Sequence, residues 1–250
     1  MIKFFRKIRQ QLLNEGKTSK YFKYAIGEIV LVVIGILIAV QINTWNNEAQ
    51  TKKRVKSILN TIKQDLVKDS VRIAEFLDSA HSEAEYNQKL MERVYYENAT
   101  IDTLVQIAKY EFSYFWITHF EYTTANFESI KSSGIIEKIP DSVKSNLVYL
   151  FNAQEDWVNI INGLNLQYRE HFDEFVRHYS PDIKYIGEKR NYNTINKITW
   201  EEIDSKHFTS RFLILIASKG VLFGNYQEEL EEMKIKTRES IKLIETYLND

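Results

Sequence analysis

IVLVVIGILIAV, residues Ile29–Val40, is the stretch from which the rest of the chain is read. Ten of these residues are Ile, Leu or Val, and no charge occurs from Ile29 to Asn47. A helix of about 20 residues, rising ~1.5 Å each, crosses the roughly 30 Å hydrocarbon core of a bilayer. On an insertion scale the ten branched residues contribute about −3 to −6 kcal/mol at most. Glu28 opposes insertion but lies near one end, where a charge reaches the interface. Tyr21, Phe22 and Tyr24 on one side and Trp45 on the other suit interfacial aromatic belts. The pattern predicts a transmembrane helix at about Ala25–Trp45, within a segment 21–46. A buried core helix is the weaker reading, because core helices rarely run this long without a polar face. A cleaved signal peptide would end in a small-residue cleavage site. Gln41, Ile42, Asn43, Thr44 and Trp45 follow instead, so an uncleaved signal-anchor is expected.

Outward toward the N-terminus, residues 1–20 form a basic amphipathic segment. In Ile2–Leu13, Phe5, Ile8 and Leu12 share a face with Ile2 or Phe4, while Lys3, Arg6, Lys7 and Gln10 take the other. This suits either a helix lying in the membrane interface or a solvated basic tail. Residues 1–23 hold seven Lys or Arg against Glu15 alone, a charge of +6. The chain total is −1, so the remainder carries −7. A basic head on an acidic body points to anionic lipid rather than nucleic acid. Lys52, Lys53, Arg54 and Lys56 follow the span; seven against four favours an N-terminus held inside.

Inside the span, Gly35 and Ala39 form a small-xxx-small pair, and Glu28, Gly35 and Ile42 recur at sevens. Small residues let helices approach closely and polar ones bond between them. Glu28, Gly35 and Ala39 are therefore the candidate membrane helix packing residues, through which a second copy would associate.

Beyond Trp45 the pattern is helical. Val55, Ile58, Leu59, Ile62 and Leu66 recur at threes and fours, as do Ile73, Phe76, Leu77, Ala80 and Ala84. The helix is expected to continue to about Tyr96, with Asn46–Gln50 as a candidate break. Asp102 is expected to cap a helix through Tyr110, and Phe112–Phe120 (FSYFWITHF) is either extended or helical. Thr123 or Thr124 caps a short helix through Lys131, stopped by Gly134, and Asp141 caps a long one to about His178, ended by Ser180–Pro181. Its apolar face includes Val143, Leu147, Leu150, Phe151, Val158 and Ile161. Residues 182–198 read as irregular. A last helix runs over about Glu201–Leu248, with a break near Gly220–Gly224. Phe212–Phe223 is too short for a second span and contains Lys219, so it reads as a core helix. The fold class expected is all-α: one N-terminal transmembrane helix continuing into an antiparallel helical bundle that forms an extramembrane domain, 47–250.

Chemistry is sparse. The absence of cysteine excludes disulfides, thiolate catalysis and Cys-ligated zinc. His171, Glu174 and His178 lie at helical spacing, but a di-metal site needs Glu-x-x-His on two helices, and the order here is reversed. Ser132-Ser133-Gly134 lacks a nucleophile elbow and reads as a helix end. Glu155-Asp156 and Glu231-Glu232 suit solvated faces, and Trp116, Trp157 and Trp200 suit core. No phosphate-cradling glycine loop occurs. No catalytic residue, no metal site and no cofactor is expected.

The first 48 residues, MIKFFRKIRQQLLNEGKTSKYFKYAIGEIVLVVIGILIAVQINTWNNE, together with Phe127–Glu137 (FESIKSSGIIE), resemble an uncharacterised family of small single-pass membrane proteins from the Bacteroidetes lineage. The resemblance implies an inner-membrane protein and no activity. With the orientation above, the N-terminus is cytoplasmic and the C-terminal domain periplasmic. The expected partners are the lipid bilayer, a second copy and an envelope protein of unidentified kind, with no nucleic acid. The function expected is a membrane-anchored interaction or scaffold role in the cell envelope. The alternative is a ligand-sensing periplasmic domain signalling through a membrane partner.

Overall fold

A computed structural model of the chain describes residues 18–114, 120–179, 200 and 203–249. The described residues form helices and connections, with no strand among them. The long elements are α1 (Thr18–Val94), α4 (Asp141–His178) and α5 (Ser205–Asn249). The short ones are α2 (Ile101–Gln106) and α3 (Ala125–Ser132). The fold is the all-α class read from the sequence: a long apolar N-terminal helix followed by a helical bundle. It divides into two compact units, Met1–Ser57 and Ile58–Asp250.

In the first unit the candidate break near Asn46–Gln50 does not occur, since α1 is helical throughout. Polar side chains there bond within the helix rather than against it. Thr44 Oγ1 donates to Val40 O at 3.0 Å and Thr51 Oγ1 to Asn47 O at 2.8 Å.

In the second unit cross-helix bonds give the register. Lys63 pairs with Glu245, His81 with Gln227, Glu83 with Lys219, and Asn87 with the Ile216 carbonyl. Numbers rise on one side as they fall on the other, so α5 runs antiparallel to α1. The pairs Asn146–Ser240, Asn165–Tyr226 and Glu174–Arg211 make it antiparallel to α4 as well. Helices α1 and α4 therefore share a direction, and the chain between them must return along α1. It does so as a crossover. Ser113 O meets Lys219, Phe120 packs edge-on against Phe76, Thr123 meets Asp69 and Asn126 meets Asp65. Phe112–Tyr114 and Phe120–Thr124 are non-helical on this path. Residues 115–119, with Trp116 and His119, lie outside the described residues, as do 1–17, Ser180–Pro181 and 182–198.

Leu59, Ile62, Leu66, Ile73 and Ala80 of α1 are buried, as are Val143, Leu147, Leu150, Phe151 and Ile161 of α4. Both are the apolar faces read from periodicity. Phe212, Leu215, Ile216, Leu222 and Phe223 bury the α5 run, so it is a core helix.

Several ends differ from expectation. Helix α1 stops at Val94 rather than about Tyr96. Thr100, not Asp102, caps α2: its hydroxyl and that of Thr103 close a capping box, leaving Asp102 in the first turn. Beyond Gln106 the helix widens into a π-turn, Ile107–Glu111, rather than staying α-helical to Tyr110. Thr124 precedes α3 without a side-chain cap bond. Pro140, not Asp141, is the residue before α4; its fixed φ sets the entry, and Asp141 opens the helix. Gly134 follows α3 at φ 71°, the left-handed conformation that stops a helix. Helix α5 has no break at Gly220–Gly224. Gly220 is there for close packing: a Cβ on it would meet Met91 Sδ at 3.1 Å.

Candidate functional site

Glu28, Gly35 and Ala39, the candidate packing residues, lie on an open helix. Gly35 and Ala39 are exposed, Glu28 is half-buried, and a Cβ on Gly35 would meet nothing within 4 Å. All ten branched side chains of Ile29–Val40 are bare, from 47% exposed at Val33 to 63% at Ile29. Phe22 and Trp45 are exposed near the ends. Helix α1 is the one helix among the described residues long and apolar enough to cross a membrane, and its apolar window is unburied.

The histidine series of α4 does not converge. Glu174 is held by Arg211 at 2.6 Å, while the His178 ring leans on His207, 4.8 Å between centroids. His207 Nδ1 in turn bonds the Tyr179 hydroxyl at 2.8 Å. Among the described residues no group of three His, Asp or Glu could hold a metal ion. Ser132 and Ser133 bond back to the carbonyls of Ser129 and Ile130 at the end of α3. Trp157 is buried in the core, and Trp200 packs against Tyr179 and Phe208.

Sequence reasoning missed the buried polar groups of the second unit. Asp69, fully buried on α1, accepts from Thr123 N at 3.0 Å, from Thr123 Oγ1 at 2.9 Å and from Arg72. One turn earlier Asp65 accepts from Asn126 Nδ2 at 2.6 Å. These carboxylates pin the crossover and the start of α3. The signal was an Asp at a core position of an otherwise apolar stripe.

Lys219 of α5 is 1% exposed. Its ammonium donates to Ser113 O at 2.7 Å and to Glu83 Oε2 at 3.3 Å, and lies over the rings of Phe112 and Phe223. Burial pulls its pKa below the ordinary lysine value, with the Glu83 charge opposing that pull.

The third group is a cleft of about 500 Å³ between the end of the crossover, α3 and α4. Phe120, Tyr122, Phe151 and Val158 form its apolar wall, and Glu121, Glu128, Glu155 and Lys131 also line it. Gln154 lines it too, is buried, and has no hydrogen-bond partner on either amide atom. The Tyr122 hydroxyl is likewise without a partner, and burial, then the nearby Asp69 charge, pushes its pKa far up.

Residues 28–176 match the family of unknown function DUF6090. The chain belongs to DUF6090. The comparison finds no match among curated proteins and none among solved structures. The DUF6090 segment contains Glu28, Gly35 and Ala39, both carboxylates that pin the crossover, and the whole lining of the Gln154 cleft. Helix α5, with Lys219, lies beyond it.

Proposed function

We infer that this DUF6090 protein is a single-pass inner-membrane protein of the Bacteroidetes envelope. In this reading it is an anchored interaction protein, and it works by binding rather than catalysis. One observation supports the anchor: ten branched apolar side chains of Ile29–Val40 lie bare on α1. Full burial of each is worth about 1.5–3 kcal/mol. Left in water, the ten realise none of that gain, and a bare apolar face of this length is one that folded proteins cover. A bilayer supplies the burial, and the helix satisfies its own backbone there. Basic residues ahead of the span favour a cytoplasmic N-terminus and a periplasmic bundle. The bare Gly35–Ala39 face is where a second copy would pack, and the bundle would meet an envelope partner. The reading as a binder is supported by how the bundle uses its buried ionic groups: Asp65, Asp69 and Lys219 hold its own segments together.

Alkaline carbonate extraction should leave the chain in the membrane pellet. Alkaline phosphatase fused to the C-terminus should be active and green fluorescent protein there dark. A soluble chain overturns the anchor; the opposite fusion pattern places the bundle in the cytoplasm. Gly35→Leu should weaken self-association of the span by about 1–2 kcal/mol in a membrane dimerisation assay. An unchanged dimer would remove that face from the proposal.

A further inference from the structure

We propose that Lys52, Lys53 and Arg54 form a collar that binds anionic lipid headgroups where α1 leaves the bilayer. The proposal rests on the anchored reading of α1, holds in either orientation and concerns the first unit alone.

The sequence puts these charges where acids are scarce. Glu48 is the one acidic residue from Ile29 to Gln64, against Lys52, Lys53, Arg54, Lys56 and Lys63. Over 46–57 the balance is four bases less one acid, a charge of +3. A basic run on a solvated helix face is ordinary, but three features set this one apart. The first is height. Helix α1 continues unbroken through Asn46–Gln50, so the bases are held at a fixed distance from the span. Trp45 is 62% exposed at the end of the apolar run, the place of an interfacial belt residue. At ~1.5 Å per residue, Lys52 begins ~10 Å beyond it. The headgroup layer is about 5–8 Å deep on each side of the core. The bases therefore stand just above the headgroup phosphates.

The second feature is direction. Every Cα–Cβ bond of an α-helix tilts toward the helix N-terminus. Helix α1 leaves the bilayer from N to C, so side chains at 52–54 lean back toward it, and their long stems snorkel to the interface. By the same rule Lys23, ahead of the span on α1, leans away from it. The third feature is availability. Lys52, Lys53 and Arg54 are exposed, and no ion pair holds them among the described residues. At about 100° per residue the three cover roughly 200° of the helix circumference. No roll of the helix therefore turns all of them away from the lipid. The chemistry that answers this collar is an oxyanion at headgroup depth. The guanidinium fork of Arg54 suits a phosphate diester, and the lysines add point charges beside it.

The test uses the full chain in nanodiscs of mixed phosphatidylcholine and phosphatidylglycerol, with bromine on the acyl chains of one lipid class at a time. Quenching of Trp45, taken as the difference from Trp45→Phe, reports which lipid sits at the exit. At equal mole fraction the anionic lipid should quench as though enriched at least about threefold. That enrichment should fade toward 1 M salt, where the screening length falls to about 3 Å. Lys52→Gln, Lys53→Gln and Arg54→Gln together should bring it below about 1.5-fold with Tm unchanged. Lys3→Gln, Arg6→Gln and Lys7→Gln, ahead of the span, should leave it as it is. The salt series on the parent chain carries the test if the triple exit variant does not fold. Equal quenching by the two classes overturns the proposal. So does an enrichment that survives the exit variant or high salt, or one that is lost with the N-terminal variant. Quenching of Trp45 by neither class has a different meaning: the span is then outside the bilayer, and the anchored reading fails with the proposal.

Discussion

Replacing Glu83 by Gln should harm the bundle more than replacing Lys219 by Met, although Lys219 is the deeper partner. Their side chains are 31% and 1% exposed. Removing the lysine leaves Glu83 free to turn toward solvent. The Ser113 carbonyl loses its 2.7 Å donor, a loss of about 1 kcal/mol. Against this, no ammonium need be buried, and a methionine packs well against Phe112 and Phe223. Lys219→Met should therefore lie within about 1 kcal/mol of the parent. Glu83→Gln instead strands a cation in the core. The ceiling on that cost is set by deprotonation. At about 1.36 kcal/mol per unit, shedding the proton at pH 7 from an ordinary value of 10.5 costs about 5 kcal/mol. Because Gln can still accept a hydrogen bond, about 2–3 kcal/mol is expected. The pH dependence separates the two variants. A lysine with a lowered folded pKa binds its proton less tightly than the unfolded chain does. Its penalty is present at neutral pH and fades as pH rises toward 10.5. Glu83→Gln should thus recover relative to Lys219→Met between pH 7 and 9.5. Urea unfolding of both variants in nanodiscs, followed by tryptophan fluorescence, measures this. A larger loss for Lys219→Met at pH 7, or a gap that ignores pH, would show that the pair is not organised around the buried ammonium.

Three other outcomes can be checked by the same unfolding assay. Asp69→Ala should cost about 3 kcal/mol or more, because it leaves Thr123 N and Oγ1 without their acceptor and unpins the crossover. Gly134→Ala should cost about 1–2 kcal/mol from its φ of 71° alone, since a Cβ there meets nothing within 4 Å. Gly163→Ala should stabilise by about 0.5–1 kcal/mol, because that position is an ordinary turn of α4 with equally open space.

Much of the architecture was legible because it is periodic. The α4 bounds, Asp141–His178, follow from Pro140 ahead of an apolar stripe at threes and fours. The Gly134 stop follows from the one residue type that takes positive φ without strain. Errors fell where two local signals compete. Thr100 and Asp102 are both good caps two residues apart, and only the bond between Thr100 and Thr103 selects between them. Gly220 looks like a helix breaker until Met91 of α1 is seen against it.

Local signals therefore decide what each segment is: an apolar helix at Ile29–Val40 and amphipathic helices after it, because side-chain burial repeats with the helical period. Which segments meet is a different question, because contact between residues far apart in the chain leaves no period to read. The parallel course of α1 and α4 depends on the non-helical return of Phe112–Tyr114 and Phe120–Thr124 along α1. The burial of Lys219 depends on Glu83, 136 residues away. The Gln154 cleft exists only because Tyr122 on the crossover and Gln154 on α4 are brought to the same wall. On a helical wheel Gln154 is one more polar residue; the tertiary packing is what buries its amide without a partner.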